Sequence, residues 1–177
     1  MNKSTPEEGV DLEAHLYKKY GSRAIQMLND PNTYLRVSGR KVGIEFNNGR
    51  KVLPTARAHA LMEHAKEAKG NDVANNIMEE MFHRYFEKAE NINSEEVLCD
   101  IASKVGGIEE ETAKEAMKDD KFLYAVEQKD SIHKERMRIS GVPFFIIERA
   151  GGKPPIGFSG AQPVDVIAEQ LEEAAEE

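Results

Sequence analysis

Apolar residues recur at helical spacing through most of the chain, and strand-like patterns are confined to two short regions. A helix is predicted wherever apolar positions return every three or four residues and a glycine or a capping residue marks an end. The predicted helices cover residues 8–20, 23–28, 55–70, 72–87, 94–106, 109–138 and 163 onward. The long segment 109–138 is expected to break near Asp119 or near Asp130. The pattern therefore predicts a mostly helical protein.

The first strand-like region lies between residues 34 and 52. Val42, Ile44 and Phe46 alternate with polar residues, and Asn48-Gly49 is a typical turn dipeptide. We therefore predict a short strand or an extended loop for this segment.

The second strand-like region begins where glycine and proline lead directly into an apolar run, at 140–147. A proline cannot donate to a sheet ladder, so Pro143 belongs at the first strand residue or in a turn that suits a cis bond. A glycine- and proline-rich turn at 151–155 precedes a second short strand that starts at Ile156. This order predicts a β-hairpin followed by a C-terminal helix.

The length, the net charge and the lack of long apolar stretches limit the classes of protein to which this chain can belong. A chain of 177 residues is long enough for one domain with a sizeable core. Its net charge of −8 repels nucleic acid and anionic membrane surfaces, so we expect neither as a partner. The first residues lack the apolar core of a secretory signal, and no apolar stretch is long enough to span a bilayer. We therefore expect a cytoplasmic protein.

Several short motifs, in this order and at this spacing, resemble the DsbA family of thiol-disulfide oxidoreductases. They are Thr55 with Ala58-His59, Met81-Phe82 with Tyr85-Phe86, Gly141-Val142-Pro143-Phe144-Phe145 and Gly160-Ala161-Gln162-Pro163. The resemblance is to the FrnE-like branch, which is related to 2-hydroxychromene-2-carboxylate isomerases and kappa-class glutathione transferases. It implies an α/β, thioredoxin-like fold with a large helical insertion. Residues 1–177 would form a single domain, with the insertion at 53–138 and the cis-proline loop, hairpin and last helix at 139–177.

The family's N-terminal strand-helix-strand, which carries a Cys-x-x-Cys motif, has no counterpart ahead of the helical block. A unit of that kind takes roughly 30 residues or more. The strand at 144–147 is therefore expected to expose an edge that favours pairing with another strand, from a partner or a second copy. A truncated gene product, a degenerate paralogue and a protein completed by another chain all remain open as interpretations.

The cysteine content limits the chemistry that these residues can perform. Cys99 is the only cysteine, so an internal disulfide or a Cys-x-x-Cys pair cannot form. It lies beside Leu98 and Ile101 in a predicted helix, which favours a structural role over that of a lone nucleophile or a glutathionylation site. We predict no catalytic residue, and the histidine and cysteine spacing predicts no metal site.

The resemblance does imply substrate-binding residues. The backbone of Val142, before Pro143, would pair with a peptide or with glutathione. His59 is interpreted as a helix-boundary residue that hydrogen-bonds locally rather than as a general base, since no nucleophile accompanies it. Where the branch carries Asn-Thr, this chain has Pro54-Thr55.

Apolar side chains between residues 78 and 86 are interpreted as core rather than as a substrate groove, because they recur at helical spacing: Met78, Met81, Phe82, Tyr85 and Phe86.

These observations predict a DsbA-like oxidoreductase family member that lacks its own redox dithiol. Its partners would be protein thiols, disulfides or peptides, and no cofactor other than glutathione is expected. The alternatives are a noncatalytic module that binds a peptide or partner, and a glutathione-dependent isomerase or transferase.

Overall fold

The computed structural model describes residues 5–132, 139 and 141–175. The chain divides into two compact units, Met1–Gln128 and Lys129–Glu177. The first unit is helical apart from a pair of two-residue strands, and the second contains a hairpin and a helix. The assignment of residues 1–177 to a single domain stays a prediction.

The first unit opens with three short helices. Strand β1 (Val10–Asp11) pairs antiparallel with β2 (Lys51–Val52) and leads into α1 (Leu12–Tyr20). The Asp11 carboxylate caps α1 by accepting a hydrogen bond of 2.8 Å from the backbone N–H of Ala14. Helices α2 (Ser22–Asn29) and α3 (Tyr34–Lys41) follow. The predicted helix from residue 8 therefore starts later, and the predicted one near 23–28 is confirmed.

The strand or loop predicted for residues 34–52 is wrong for residues 34–41, which form α3. The helix can form there because Gly39 lets it approach the loop closely: a Cβ on Gly39 would lie 2.7 Å from the Phe46 ring. Arg36 of α3 donates to the Phe46 carbonyl at 3.2 Å and to Asn48 Oδ1 at 2.6 Å. These bonds fix residues 42–50 in an irregular conformation, and the predicted turn at 48–49 is confirmed.

Four helices form the centre of the first unit, at nearly the predicted positions. They are α4 (Ala56–Lys69), α5 (Asn71–Phe82), α6 (Glu95–Gly106) and α7 (Glu110–Lys118). The largest fully buried side chains all come from them: Leu61, Ile77, Leu98, Ile101 and Met117. Apolar periodicity thus located the core correctly.

Two further elements extend from this centre. Helix α5 continues as a π-helical turn (His83–Glu87), and α8 (Asp120–Ser131) starts directly after the predicted break at Asp119. Phe122 of α8 is buried and packs with Ala60 and Ala116 of the neighbouring helices. Residues 133–138 of the predicted 109–138 segment lie outside the described residues.

In the second unit, β3 (Phe144–Ile147) pairs antiparallel with β4 (Ile156–Ser159). A short 3₁₀ turn (Ala150–Gly152) lies between the strands, and α9 (Val164–Ala175) follows them. The predicted hairpin and terminal helix are confirmed. Within the described residues, no helix is long and apolar enough to cross a membrane.

One close contact in the core gives a stability test. A Cβ on Gly106 would lie 2.6 Å from Ile77 Cδ1, so Gly106→Ala is expected to destabilise the protein by about 1–3 kcal/mol through overpacking. Ile77→Val removes that methyl group and should cost about 0.5–1.5 kcal/mol by itself. In urea unfolding, we expect the double variant to lose about 1 kcal/mol less stability than the sum of the losses in the two single variants.

Ile101→Val is the matched control, because Ile101 is equally buried but does not face Gly106. Its combination with Gly106→Ala should be additive. Additive behaviour of the Ile77 pair as well would contradict the contact.

Candidate functional site

The turn before β3 exposes a backbone segment at the surface of the second unit. The Val142-Pro143 peptide bond is cis, and Val142 is 91% exposed. The Pro143 carbonyl accepts a hydrogen bond of 2.8 Å from the backbone N–H of Gly160, which fixes the turn to the end of β4. Within the described residues, Val142 makes no backbone hydrogen bond of its own. Val142 therefore lies at a highly exposed position of the turn.

Strand β3 presents an open edge next to this turn. Among the described strands, it pairs with β4 alone. The rings of Phe145 and Phe158 stack with their centroids 5.1 Å apart, and Ile146 is 41% exposed. An edge of this kind offers a row of N–H and C=O groups beside apolar side chains. Its chemistry suits an extended peptide.

The cysteine lies in the other unit, within the helical core. Cys99 of α6 is only 4% exposed, and its thiol makes a weak hydrogen bond of 3.8 Å to the Glu110 carbonyl. Burial, followed by the negative charge of Glu110, raises the pKa of the Cys99 thiol. A protonated, buried thiol is a poor nucleophile. These features favour the structural interpretation of Cys99.

His59 lies on α4 in the first unit. The turn at Val142 is distant from it in the sequence and belongs to the second unit. Its side chain is exposed, and its backbone N–H donates to the Thr55 carbonyl at 3.0 Å. Thr55 lies at the N-cap position of α4, but its side chain makes no capping hydrogen bond. The N–H groups of the first turn of α4 thus receive no cap from that hydroxyl.

A cavity that the sequence did not predict opens beside the start of α4, with a volume of about 500 Å³. His15 and Lys19, four residues apart on α1, line it together with Thr55, Glu7 and Glu127. The sequence does show that His15 and Lys19, at a spacing of four residues, share one face of α1. Their proximity to Thr55 depends on the packing of segments that are distant in the sequence. The lining of the cavity thus includes an ammonium group, an imidazole, a hydroxyl group and two carboxylates.

The aromatic segment at 82–86 serves neither as plain core nor as an open groove. Met81 is buried as expected, whereas Phe82 is 48% exposed. The Phe86 ring packs edge-on against Phe46 at 5.9 Å, and the Tyr85 hydroxyl donates to the Lys51 carbonyl at 2.8 Å. The π-helical turn therefore contacts the segment from Phe46 to Lys51. This segment ends in β2, which is followed by residues that line the cavity.

Comparison with known proteins identifies the fold. The model of the DSBA-like thioredoxin domain matches residues 22–172. The crystal structure of a probable DsbA oxidoreductase from Streptomyces coelicolor matches with a TM-score of 0.76 and 24% identity, over 93% of this chain and 67% of that one. No curated protein matches the sequence significantly. The predicted thioredoxin-like, mostly helical fold class is confirmed.

The environment of Cys99 predicts slow reaction with thiol reagents. In native protein at pH 7, we expect the rate with an aromatic disulfide reagent to be roughly tenfold or more below that of the chain unfolded in guanidinium. Burial lowers access, and each unit by which the pKa is raised lowers the thiolate fraction about tenfold. Cys99→Ser is the blank, because it removes the only thiol. Equal native and unfolded rates would show that Cys99 is accessible.

Proposed function

The chain belongs to the family of DSBA-like thioredoxin domains, and we propose that it provides the substrate-binding surface of a thiol-disulfide oxidoreductase. The surface consists of the Val142-Pro143 turn and the open edge of β3. The proposed ligand is an extended peptide that carries a thiol or a disulfide. Within the family, we place the chain in the FrnE-like branch on the strength of its sequence motifs. The observation that carries the proposal is the exposure of Val142 beside an open strand edge.

The proposed binding mode is strand addition. An extended peptide lying antiparallel to the Val142-Pro143 turn would accept a hydrogen bond from the Val142 N–H and donate one to its carbonyl. In such complexes, main-chain hydrogen bonds supply affinity and neighbouring side chains supply selectivity. The exposed parts of Phe145 and Ile146 would contact apolar residues of the peptide. The same edge is where we propose that a second copy or a partner chain adds a strand.

Dithiol exchange requires more than this surface. A thiolate sulfur attacks one sulfur of the substrate disulfide, forms a mixed disulfide and releases the other sulfur as a thiolate, after which a second thiol resolves the intermediate. These 177 residues contain one cysteine, and it is buried. We propose that they bind the substrate without performing exchange unaided. A noncatalytic binding module would use the same turn and edge, so peptide binding is common to both interpretations.

The cavity beside α4 favours a second candidate, a glutathione-dependent isomerase or transferase. Glutathione is an extended tripeptide with two carboxylates and one ammonium group, so it needs both cationic and anionic partners. Lys19 and His15 would receive its carboxylates, and Glu7 or Glu127 would receive its ammonium group. The cavity volume of about 500 Å³ lies in the usual range for ligand sites.

Two substitutions at one position test strand addition. Val142→Pro removes the backbone N–H, whereas Val142→Ala shortens the exposed side chain and leaves the backbone unchanged. We expect Val142→Pro to weaken the binding of a fluorescent extended peptide about tenfold, because a hydrogen bond and the strand geometry are lost. Val142→Ala should change the affinity only about twofold. The measurement is fluorescence polarisation, with the peptide cysteine blocked.

Circular dichroism melting of both variants controls for folding. Equal affinity of the two variants would show that the Val142 N–H does not bind the peptide. Absence of binding by the wild-type chain at millimolar peptide would reject the proposed function.

The glutathione candidate has its own test. Lys19→Met should weaken glutathione binding about tenfold in calorimetry, because it removes a charge-assisted partner of a carboxylate. Lys18→Met is the matched control, since Lys18 is a neighbouring lysine that does not line the cavity. Equal losses in the two variants, or no heat with the wild-type chain, would reject this candidate.

A further inference from the structure

Part of the wall of the cavity beside α4 is a segment outside any helix or strand, residues 5–9. Thr5 and Glu7 of this wall segment line the cavity, and residues 6–8 are exposed. A segment that buries so little surface depends on a few specific contacts for its position. Two such contacts hold it, one at Glu7 and one at Gly9.

The contact at Glu7 is made by a buried amide. Asn93, in the loop before α6, is 4% exposed and is the only buried polar or charged residue in the described part of the chain. Its Nδ2 donates to the Glu7 carbonyl and to Glu7 Oε2, each at 3.1 Å. If the wall segment moved away, Asn93 would lose both acceptors. A buried donor without a partner costs free energy, so Asn93 favours the docked position.

A guanidinium adds to the same contact. Arg57 of α4 pairs with Glu7 Oε2 at 3.1 Å and donates to the Asn93 carbonyl at 3.4 Å. The Arg57 and Glu7 side chains are 39% and 71% exposed, so their ion pair contributes little by itself. The buried amide of Asn93 is therefore the main anchor of the wall segment.

The second contact requires a glycine. Gly9 has a φ of +75°, and a Cβ there would lie 2.6 Å from Leu53 Cδ2 and 3.0 Å from the Val52 carbonyl oxygen. The absence of a side chain lets the wall segment lie this close to Val52 and Leu53. Both of those residues also line the cavity. The wall segment is thus seated directly on its neighbours in the cavity wall.

We propose that Asn93 is a positioning residue for this cavity: it docks the wall segment, and the cavity binds its ligand tightly only while that segment is docked. The proposal rests on the glutathione candidate described above. A ligand in contact with Thr5 or Glu7 has a higher affinity for the docked arrangement than for the undocked one. Ligand binding and docking therefore strengthen each other by the same factor.

Two variants of the full chain undock the wall segment by unrelated means. Asn93→Asp replaces the amide donor with a carboxylate that repels Glu7, and Gly9→Ala places a methyl group against Leu53. The reporter is the backbone amide of residue 9, which donates to the Pro6 carbonyl at 2.9 Å. In hydrogen-exchange NMR, we expect this amide to exchange about tenfold faster in both variants. The amide of Ile101, in the core, should exchange at the wild-type rate.

Glutathione binding gives the second readout. In calorimetry, both variants should bind glutathione about tenfold more weakly than the wild type, although neither Asn93 nor Gly9 lines the cavity. Saturating glutathione should in turn slow exchange at residue 9 of the wild-type chain about tenfold. Adding Glu7→Gln to Asn93→Asp should return this exchange to within about threefold of the wild-type rate. The side-chain amide at position 7 then donates to the carboxylate at position 93.

Each variant has a matched control. Asn91→Asp makes the same amide-to-carboxylate change two residues away and keeps the oxygen that accepts from the Asn93 N–H at 2.9 Å. Gly43→Ala also replaces a glycine of positive φ, +83°, but no atom lies within 4 Å of the added Cβ. Both controls should leave the exchange at residue 9 and the glutathione affinity unchanged.

The outcomes separate this proposal from the candidate function. Unchanged exchange at residue 9 in both variants would overturn the anchoring role of Asn93. Fast exchange combined with wild-type glutathione affinity would overturn the coupling and leave the glutathione candidate intact. Absence of heat with the wild-type chain would reject that candidate and the coupling with it. If the Ile101 amide also exchanges faster in Asn93→Asp, that variant has lost its fold and Gly9→Ala decides.

Discussion

Close packing of α4, α5, α6 and α7 is the constraint on which the rest of the first unit depends. Small residues on these helices, among them Ala65, Ala102 and Ala113, let the backbones approach until the larger side chains are fully covered. Each large apolar side chain buried in this way contributes about 1.5–3 kcal/mol. The peripheral elements contain far fewer buried apolar side chains, and they pack onto this centre. Helix α8 joins it through Phe122, and the π-helical turn continues directly from α5.

An ion-pair network joins the π-helical turn to α5 and α6. Arg84 of the π-helical turn is largely buried and pairs with Glu80 of α5 and Asp100 of α6, each at 2.7 Å. Hydrogen bonds from Lys104 and Arg84 hold the pKa of Asp100 below its usual value. The stabilisation from this depressed pKa is present at neutral pH and is lost as the pH falls through it.

With Arg84 fixed, the neighbouring Phe86 carbonyl accepts a hydrogen bond of 2.7 Å from the Asn47 N–H. The loop before β2 is thereby tied to the core. Strand β2 leads into α4 through Pro54 and Thr55, which line the cavity.

Local patterns in the sequence predicted those parts of the structure that local physics determines. Helical periodicity located α4 to α7, glycines such as Gly70 marked helix ends, and glycine with proline located the hairpin. The prediction for residues 34–41 was wrong because the apolar alternation is confined to residues 42–46. The preceding residues form a helix, and Arg36 and Gly39 of that helix contact the loop at Phe46. The cavity at His15 and Lys19 was missed because it depends on packing between segments far apart in the sequence, which also contribute Thr55 and Glu127. Burial of Cys99 followed from its apolar neighbours.

We propose that ligand binding belongs to the turn at Val142 and the edge of β3, and not to the cysteine in the core. The most direct measurement is the change in backbone amide shifts of the isotopically labelled chain as an extended cysteine-containing peptide is added. We expect the amides of Val142 and of Phe144–Ile147 to shift in a saturable manner while those around Cys99 stay unchanged. Saturable shifts around Cys99, with no change at Val142 and β3, would contradict it.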